Sequence, residues 1–440
     1  MLCEGLHSSP RIRRKDLQTR CRADDRICSS FYRHTVEQKH AAIDEFTQLA
    51  AEIGPQGFQH SRQSACSDVV IGRARQGAGT CPEPNRWHLT IFAYVRCTVY
   101  DLQMYPLSEP ALLMDTFGRV ATDLRVSLTD RCDLRCSYCM PAVGLPWLPR
   151  EELLTDAEVN RLVRIAVERL GVREVRFTGG EPLLRPDIEK IIAATAHLSP
   201  RPQISLTTNG VGLADRASAL AAAGLDRINV SLDTLSHQTF RELARRDRLD
   251  DVLAGLEAAQ HAGLTPVKVN TVLLRDVNDH EAADLLAWCL DRDYELRFIE
   301  QMPLDPVHAW QRDNFVTVAE IVHMLEDRWV LTPDHHERGG APAERWLVDG
   351  GPATVGIIGS VSRPFCADCD RTRLTADGQV RSCLFAHDET DLRGLLRADA
   401  ADDDIVLAWR QAMHAKKRGH GLDDPTTFVS PQRPMSAIGG

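Results

Sequence analysis

Residues 153–182 read LLTDAEVNRLVRIAVERLGVREVRFTGGEP, and this stretch decides the fold. Thr155 followed three residues later by Glu158 forms a capping box, so a helix opens there. Apolar residues at helical spacing carry it to Leu170, and Gly171 supplies the stop. VREVRFT is then a strand that runs into the glycine-rich turn TGGEP. Working outward, the same unit recurs. Upstream lies the strand DLRVSLT (123–129). Downstream come a helix from Pro186 to His197, strand PQISLTTNG (202–210), a helix ending at Gly224, and strand DRINVSL (226–232). A helix over 250–262, strand PVKVNTVL (266–273), a helix over 279–290 and strand ELRFIEQ (295–301) complete the series. Strands alternating with helices specify a parallel sheet with crossover helices. Six repeats are too few for a closed eight-fold barrel. The expected fold is therefore α/β, a partial, open, TIM-like parallel barrel with its site at the C-terminal ends of the strands.

Beyond Pro303 the alternation decays. A helix over 318–327, short strands ERWLVD (344–349) and ATVGIIG (353–359), a helix over 388–396 and another near 405–417 describe a smaller α+β region. It ends in a loose tail, SPQRPMSAIGG (430–440). Residues 1–114 show no sustained period of 3.6 or 2, and little packed structure is expected there. Either the functional chain starts near Met104 or Met114, or the segment is a lineage-specific extension. The expected division is a 1–114 extension, a 115–303 barrel and a 304–440 C-terminal region.

The chain has 440 residues, 43% hydrophobic and 26% charged, as in globular enzymes and unlike disordered or fibrous chains. Lys and Arg number 52 against 62 Asp and Glu, a formal charge of -10, so nothing draws it to nucleic acid or anionic lipid at long range. Any polyanion must be held by a local cluster of bases. No apolar run is long enough to span a bilayer and no apolar stretch follows the basic N-terminus, which places the chain in the cytoplasm, away from membranes. Thirteen cysteines in a reducing compartment are not a disulfide framework. Six are scattered through the first hundred residues, and Cys289, on an amphipathic helix, reads as core. The other six form two groups.

CDLRCSYC sets Cys132, Cys136 and Cys139 at CxxxCxxC spacing directly after a strand. Three thiolates can hold three irons of a 4Fe-4S cluster and leave the fourth open to a chelating small molecule. A closed zinc site would need a fourth ligand, and the nearest histidines, His197 and His237, sit on other elements. PFCADCDRTRLTADGQVRSCLF sets Cys366 and Cys369 as CxxC and Cys383 beyond a turn at Asp377-Gly378. Two readings fit that spacing: a zinc knuckle closed by His387, or a second three-cysteine cluster.

The first triad, with Tyr138 before its last cysteine and Gly179, Gly180 and Glu181 one unit later, resembles the radical S-adenosylmethionine (SAM) superfamily. The second triad with Arg371 and Arg373 narrows this to a resemblance to the GTP 3′,8-cyclases of molybdenum cofactor biosynthesis, the MoaA family. DLRVSLTDRC, VRFTGGEPLLR, SLTTNG, RINVSLDT, KVNTVLL, RFIEQMP, CDRTRLTADGQVRSCLF and the terminal Gly439-Gly440 carry it in order, and none of it reaches residues 1–114. Gln301 departs from many relatives, which touches only fine tuning.

The resemblance implies two 4Fe-4S clusters, one on Cys132, Cys136 and Cys139 that binds SAM and one on Cys366, Cys369 and Cys383 that binds the guanine of GTP. Tyr138, Gly180, Glu181, Ser231 and Met302 would contact SAM, and Arg125, Arg176, Thr207, Lys268, Arg371 and Arg373 would hold GTP. A 5′-deoxyadenosyl radical from SAM would take hydrogen from C3′ of the ribose. The C3′ radical would attack C8, and reduction would give 3′,8-cyclo-7,8-dihydro-GTP, with Gly439 and Gly440 needed in the site. A homodimer, a low-potential flavodoxin- or ferredoxin-like electron donor and, by metabolic linkage, a downstream cyclic pyranopterin monophosphate synthase are the implied partners.

The basic residues support this independently. A triphosphate brings about four negative charges into a cavity, and arginine suits bidentate phosphate contacts. Arg125, Arg176 and Lys268 lie inside apolar parallel strands, where an unpaired charge is costly. Two other functions compete: a radical SAM peptide or protein maturase with an auxiliary cluster, and a non-catalytic iron–sulfur or zinc paralogue. The maturase predicts cysteines after Cys383, and there are none. Intact triads, GGEP and the terminal GG weigh against the paralogue.

Overall fold

A computed structural model describes residues 111–305, 310–422, 428–431 and 433–439. The expectations for residues 1–110, and for Gly440, lie outside the described residues. Packed structure begins ahead of residue 115, since Leu113 is fully buried and bonds across to Ala121.

The six expected strands form as β1 (Asp123–Ser127), β2 (Glu174–Thr178), β3 (Gln203–Thr208), β4 (Arg227–Ser231), β5 (Val267–Leu273) and β6 (Glu295–Glu300), paired in parallel in that order. Five long crossover helices lie between them: α1 (Asp156–Leu170), α2 (Ile188–Ala196), α3 (Leu213–Ala222), α5 (Leu249–His261) and α6 (Ala282–Leu290). The capping box on α1 is present, with Thr155 N–H donating to Glu158 and Glu158 N–H to the Thr155 hydroxyl, and Gly171 ends the helix at φ 75°. One further helix, α4 (His237–Ala244), follows β4 and is additional to those read from the sequence pattern. Ser236 caps it, its hydroxyl accepting from Thr239 N–H.

The sheet does not stop at six strands. After α7 (Val318–Glu326) come β7 (Leu331–Pro333), β8 (Glu344–Val348) and β9 (Thr354–Ile358), and β9 pairs in parallel with β6. Further on, β10 (Arg371–Leu374) pairs in parallel with β1, and β11 (Gln379–Arg381) and β12 (Thr390–Asp391) continue antiparallel. The region after residue 303 thus extends both edges of one open twelve-stranded sheet, in the order β12-β11-β10-β1-β2-β3-β4-β5-β6-β9-β8-β7. Two buried groups fasten it. Glu300 accepts from the N–H groups of Val318 (2.9 Å), Val361 and Ser362 (both 2.8 Å). Trp409, on the helix α9 (Asp402–His414) that follows α8 (Leu392–Arg397), donates to the Thr372 hydroxyl on β10 at 3.0 Å.

The two faces of the strands divide the labour. In β5, Val267, Val269, Thr271 and Leu273 are buried, while Lys268, Asn270 and Val272 alternate on the opposite, partly open face. Val267, Val269 and Leu273 belong to the continuous apolar core. The open face carries the site.

Candidate active site

The loops at the strand ends enclose a cavity of about 300 Å³. Both cysteine triads line it, with Arg125, Tyr138, Arg176, Gly180, Thr207, Ser231, Met302, Arg371 and Arg373. Residues as far apart in sequence as Arg125 and Ser436 therefore share one space.

Cys132, Cys136 and Cys139 are free thiols on the loop after β1. Helix α4 braces this loop, since Arg135 N–H donates to the Ala244 carbonyl and Ser137 N–H to the Leu243 carbonyl, each at 2.9 Å. The GGEP turn grips its other side. Gly180 N–H donates to the Thr129 carbonyl and Glu181 N–H to the Arg131 carbonyl, each at 2.7 Å. A Cβ on Gly180 would lie 2.2 Å from the Arg131 oxygen, so glycine is required here for backbone to dock on backbone. Glu181 faces away from the cavity, accepting from Leu183 N–H (2.9 Å), Asn209 N–H (2.7 Å) and the Thr208 hydroxyl (2.7 Å). Burial pushes its carboxyl up to about 7 against these three donors. Tyr138 donates to Asp233 at 2.7 Å, and burial pushes Asp233 up to about 6.

Cys366 sits on a short 3₁₀ turn, Cys369 just before β10 and Cys383 just after β11, so the hairpin turning at Asp377-Gly378 folds the third cysteine back toward the other two. Burial opposes ionisation of Cys369, yet Arg371 and Lys416 together bring its thiol down to about 7. The three histidines considered for a zinc site are engaged elsewhere. His387 meets the Val429 carbonyl at 3.1 Å, His197 the carbonyl of Ala193, and His237 lies beside Asp247 and Asp250. Among the described residues no three His, Cys, Asp or Glu side chains converge on a single-ion position. Ligands of one tetrahedral zinc lie within about 4 Å of each other. Thiols that each bind a different iron stand further apart, and two sets of three free thiols facing one cavity fit that chemistry.

A row of arginines lines the same cavity. Arg373 on β10, Arg125 on β1 and Arg176 on β2 are register partners across three adjacent strands, about 4.8 Å apart per step. Arg297 on β6 also lines the cavity. Burial, then Arg176, pushes Arg125 down to about 9, and burial takes Arg176 and Arg297 to about 10. Asp123 lies 3.7 Å from Arg125 and 3.9 Å from Arg176. Nε of Arg125, Nε of Arg297 and Oδ1 of Asn270 are buried without a hydrogen-bond partner. Arginine does not give up its proton in proteins. The row is therefore a preformed cluster of under-neutralised positive charge.

Lys268 stands apart from the expected group. Its ammonium pairs with Glu295 at 2.6 Å, and it does not line the cavity. The tail folds into helix α10 (Met435–Ile438) in place of a loose terminus, with Met435 and Ser436 on the cavity wall and Gly439 packed against Ser127 and Thr178. Arg297, Asp233 and Lys416 are absent from the residues singled out by motif. Arg297 carries the same signal as Arg176, a base in an apolar strand. Lys416 carries none, because its neighbour Cys369 is 47 positions away.

An open parallel sheet with a three-cysteine loop after its first strand is the class of radical SAM proteins, and the profile of the Radical SAM superfamily matches residues 126–289. The Molybdenum Cofactor Synthesis C profile matches residues 294–422. A protein of Streptomyces coelicolor named GTP 3′,8-cyclase is 66% identical over 330 residues, 75% of this chain and 96% of that protein. One of Mycobacterium sp. strain KMS with the same name is 60% identical over 350 residues, 78% of this chain and all of that protein. The chain belongs to the GTP 3′,8-cyclase family. Among solved structures, Streptococcus suis SuiB is 15% identical with a TM-score of 0.49, covering 81% of this chain and 83% of that one. Among the described residues no helix is long and apolar enough to cross a membrane.

Proposed function

We propose that the chain converts GTP to 3′,8-cyclo-7,8-dihydro-GTP, the first step toward molybdopterin, using SAM and two 4Fe-4S clusters. The observation that carries this is the convergence of both cysteine triads and the arginine row on one cavity. Cys132, Cys136 and Cys139 would hold the cluster that binds SAM, with Tyr138, Gly180, Ser231 and Met302 around the ligand and Glu181 bracing the loop. Cys366, Cys369 and Cys383 would hold the cluster that meets the guanine. When bound, SAM and the clusters supply the one-electron chemistry that activates C3′ of the ribose. The chain's own part is positioning. Arg125, Arg176 and Arg297 neutralise the triphosphate, Thr207 offers a hydroxyl beside them, and Arg371 and Arg373 fix the base end. Lys268 joins them on release from Glu295. Gly439 closes the site from the tail side, and by the resemblance Gly440 is needed for activity as well. A cytoplasmic location, a homodimer, a low-potential electron donor and a downstream cyclic pyranopterin monophosphate synthase complete the reading.

The test is anaerobic reconstitution with iron counting, then incubation with SAM, dithionite and GTP and mass spectrometry of the products. About eight irons per chain, GTP-dependent 5′-deoxyadenosine and a cyclised GTP isomer are expected. Four irons with one zinc, or SAM cleavage indifferent to GTP, would overturn it.

A further inference from the structure

Lys416 follows α9 and is almost fully buried, at 4% exposure. Its Nζ lies 3.3 Å from Cys369 Sγ, 3.2 Å from the Cys369 carbonyl and 2.9 Å from the Arg371 carbonyl. None of these partners is a carboxylate, and a buried ammonium without an anion is costly. Lys416 does not line the cavity, so it cannot reach a substrate there. Its placement is rigid, because the preceding helix is pinned to β10 through Trp409 and Thr372. The same sulfur receives Arg371 Nη2 at 3.3 Å from the cavity side.

We infer that Lys416 is a positioning residue of the second triad, whose fixed positive charge on the Cys369 sulfur raises the reduction potential of the cluster held there. This rests on the two-cluster reading above. Three thiolates around an iron–sulfur core carry net negative charge, and reduction adds one more. A cation donating to a ligand sulfur stabilises the reduced form more than the oxidised form, which moves the potential upward. Arg371 is committed to the face that meets substrate. Lys416 supplies the contribution that persists whether or not substrate is bound.

The experiment uses the full chain carrying C132A, C136A and C139A, so that only the second triad loads, with K416Q and K416R added in turn. Each is reconstituted anaerobically, its iron counted, and its cluster titrated against potential by electron paramagnetic resonance. Four irons in all three, a more negative midpoint in K416Q and a midpoint restored toward the parent in K416R are expected. Loss of iron from K416Q with retention in K416R also supports the inference, since the charge is then needed to hold the cluster. Four irons with equal midpoints in K416Q and parent overturn it, as does K416R behaving like K416Q. A parent that takes up no iron overturns the two-cluster reading, and this inference falls with it.

Discussion

Arg373 donates from Nη1 to the carbonyl oxygen of Gly439 at 2.5 Å, tying the middle of β10 to a residue 66 positions later. Arg373 is in turn the register partner of Arg125 on β1. The tail therefore closes on the same arginine row that lines the cavity.

Gly439 takes φ 88°, and a Cβ there would sit 3.0 Å from Thr178 Cγ2 and 3.1 Å from Ser127 Cβ. G439V adds backbone strain of roughly 1–2 kcal/mol to that crowding and lifts the tail off Arg373. Turnover should fall at least about tenfold, while the melting temperature stays within about 2 °C because few core contacts are lost. Product formation by mass spectrometry beside a thermal melt reads both.

The tail has a second anchor. Arg433 pairs with both carboxylate oxygens of Asp377, at 3.0 and 2.7 Å, and with Glu389 at 2.8 Å. Asp377 lies on the turn between β10 and β11, so the anchor and Arg373 belong to one hairpin. A charge-assisted pair of this kind, partly buried, is worth about 1.5 kcal/mol. R433Q should raise hydrogen exchange at residues 435–439 roughly tenfold and leave exchange in β1–β6 unchanged. Unchanged tail exchange would show that Arg373 alone suffices.

Like charges in register destabilise a sheet that has no anion to neutralise them. R125Q removes the central member of the row, which has Arg373 on one side and Arg176 on the other. The ligand-free melting temperature should rise, while GTP affinity falls about 10- to 100-fold from the loss of a charged hydrogen bond. A melt without nucleotide and equilibrium binding of GTP separate the two effects, and a lowered ligand-free melt contradicts the picture.

Asp233 provides a pH signature in the iron-free chain. Its folded pKa of about 6 exceeds the ordinary 3.8 because burial favours the neutral form. It therefore contributes stability below about pH 4 that is lost as pH rises through about 6. D233N keeps an acceptor for Val272 N–H and a partner for the Tyr138 hydroxyl, and removes the titration. Relative to wild type, it should gain on the order of 3 kcal/mol between pH 4 and pH 7, read by denaturant unfolding.

What was legible from sequence follows from range. Each βα unit announces itself within about thirty residues: Thr155, Glu158 and Gly171 delimit α1, and the period of 2 in VKVNTVL marks β5. Cys132, Cys136 and Cys139 are legible for the same reason, since their ligand spacing is local. RTRL (371–374) and QVR (379–381) are too short to declare themselves as strands, and their hairpin shows only as the Asp377-Gly378 turn. The helix His237–Ala244 is likewise short, and the cysteine loop it braces through the Leu243 and Ala244 carbonyls lies far from it in sequence.

By itself, then, the sequence determined the local units, their parallel order and the six thiols, because hydrophobic period, caps and turn residues act between neighbours. Only the tertiary structure decided that β10 lies beside β1 and β9 beside β6, since pairing of strands distant along the chain is chosen by burial of both sheet edges and leaves no local mark. That choice sets Arg373 next to Arg125, Lys416 on Cys369 and Gly439 on Arg373, while the register of β5 on β6 sets Lys268 against Glu295. The charge balance of the site is a property of the assembled sheet and of no single segment.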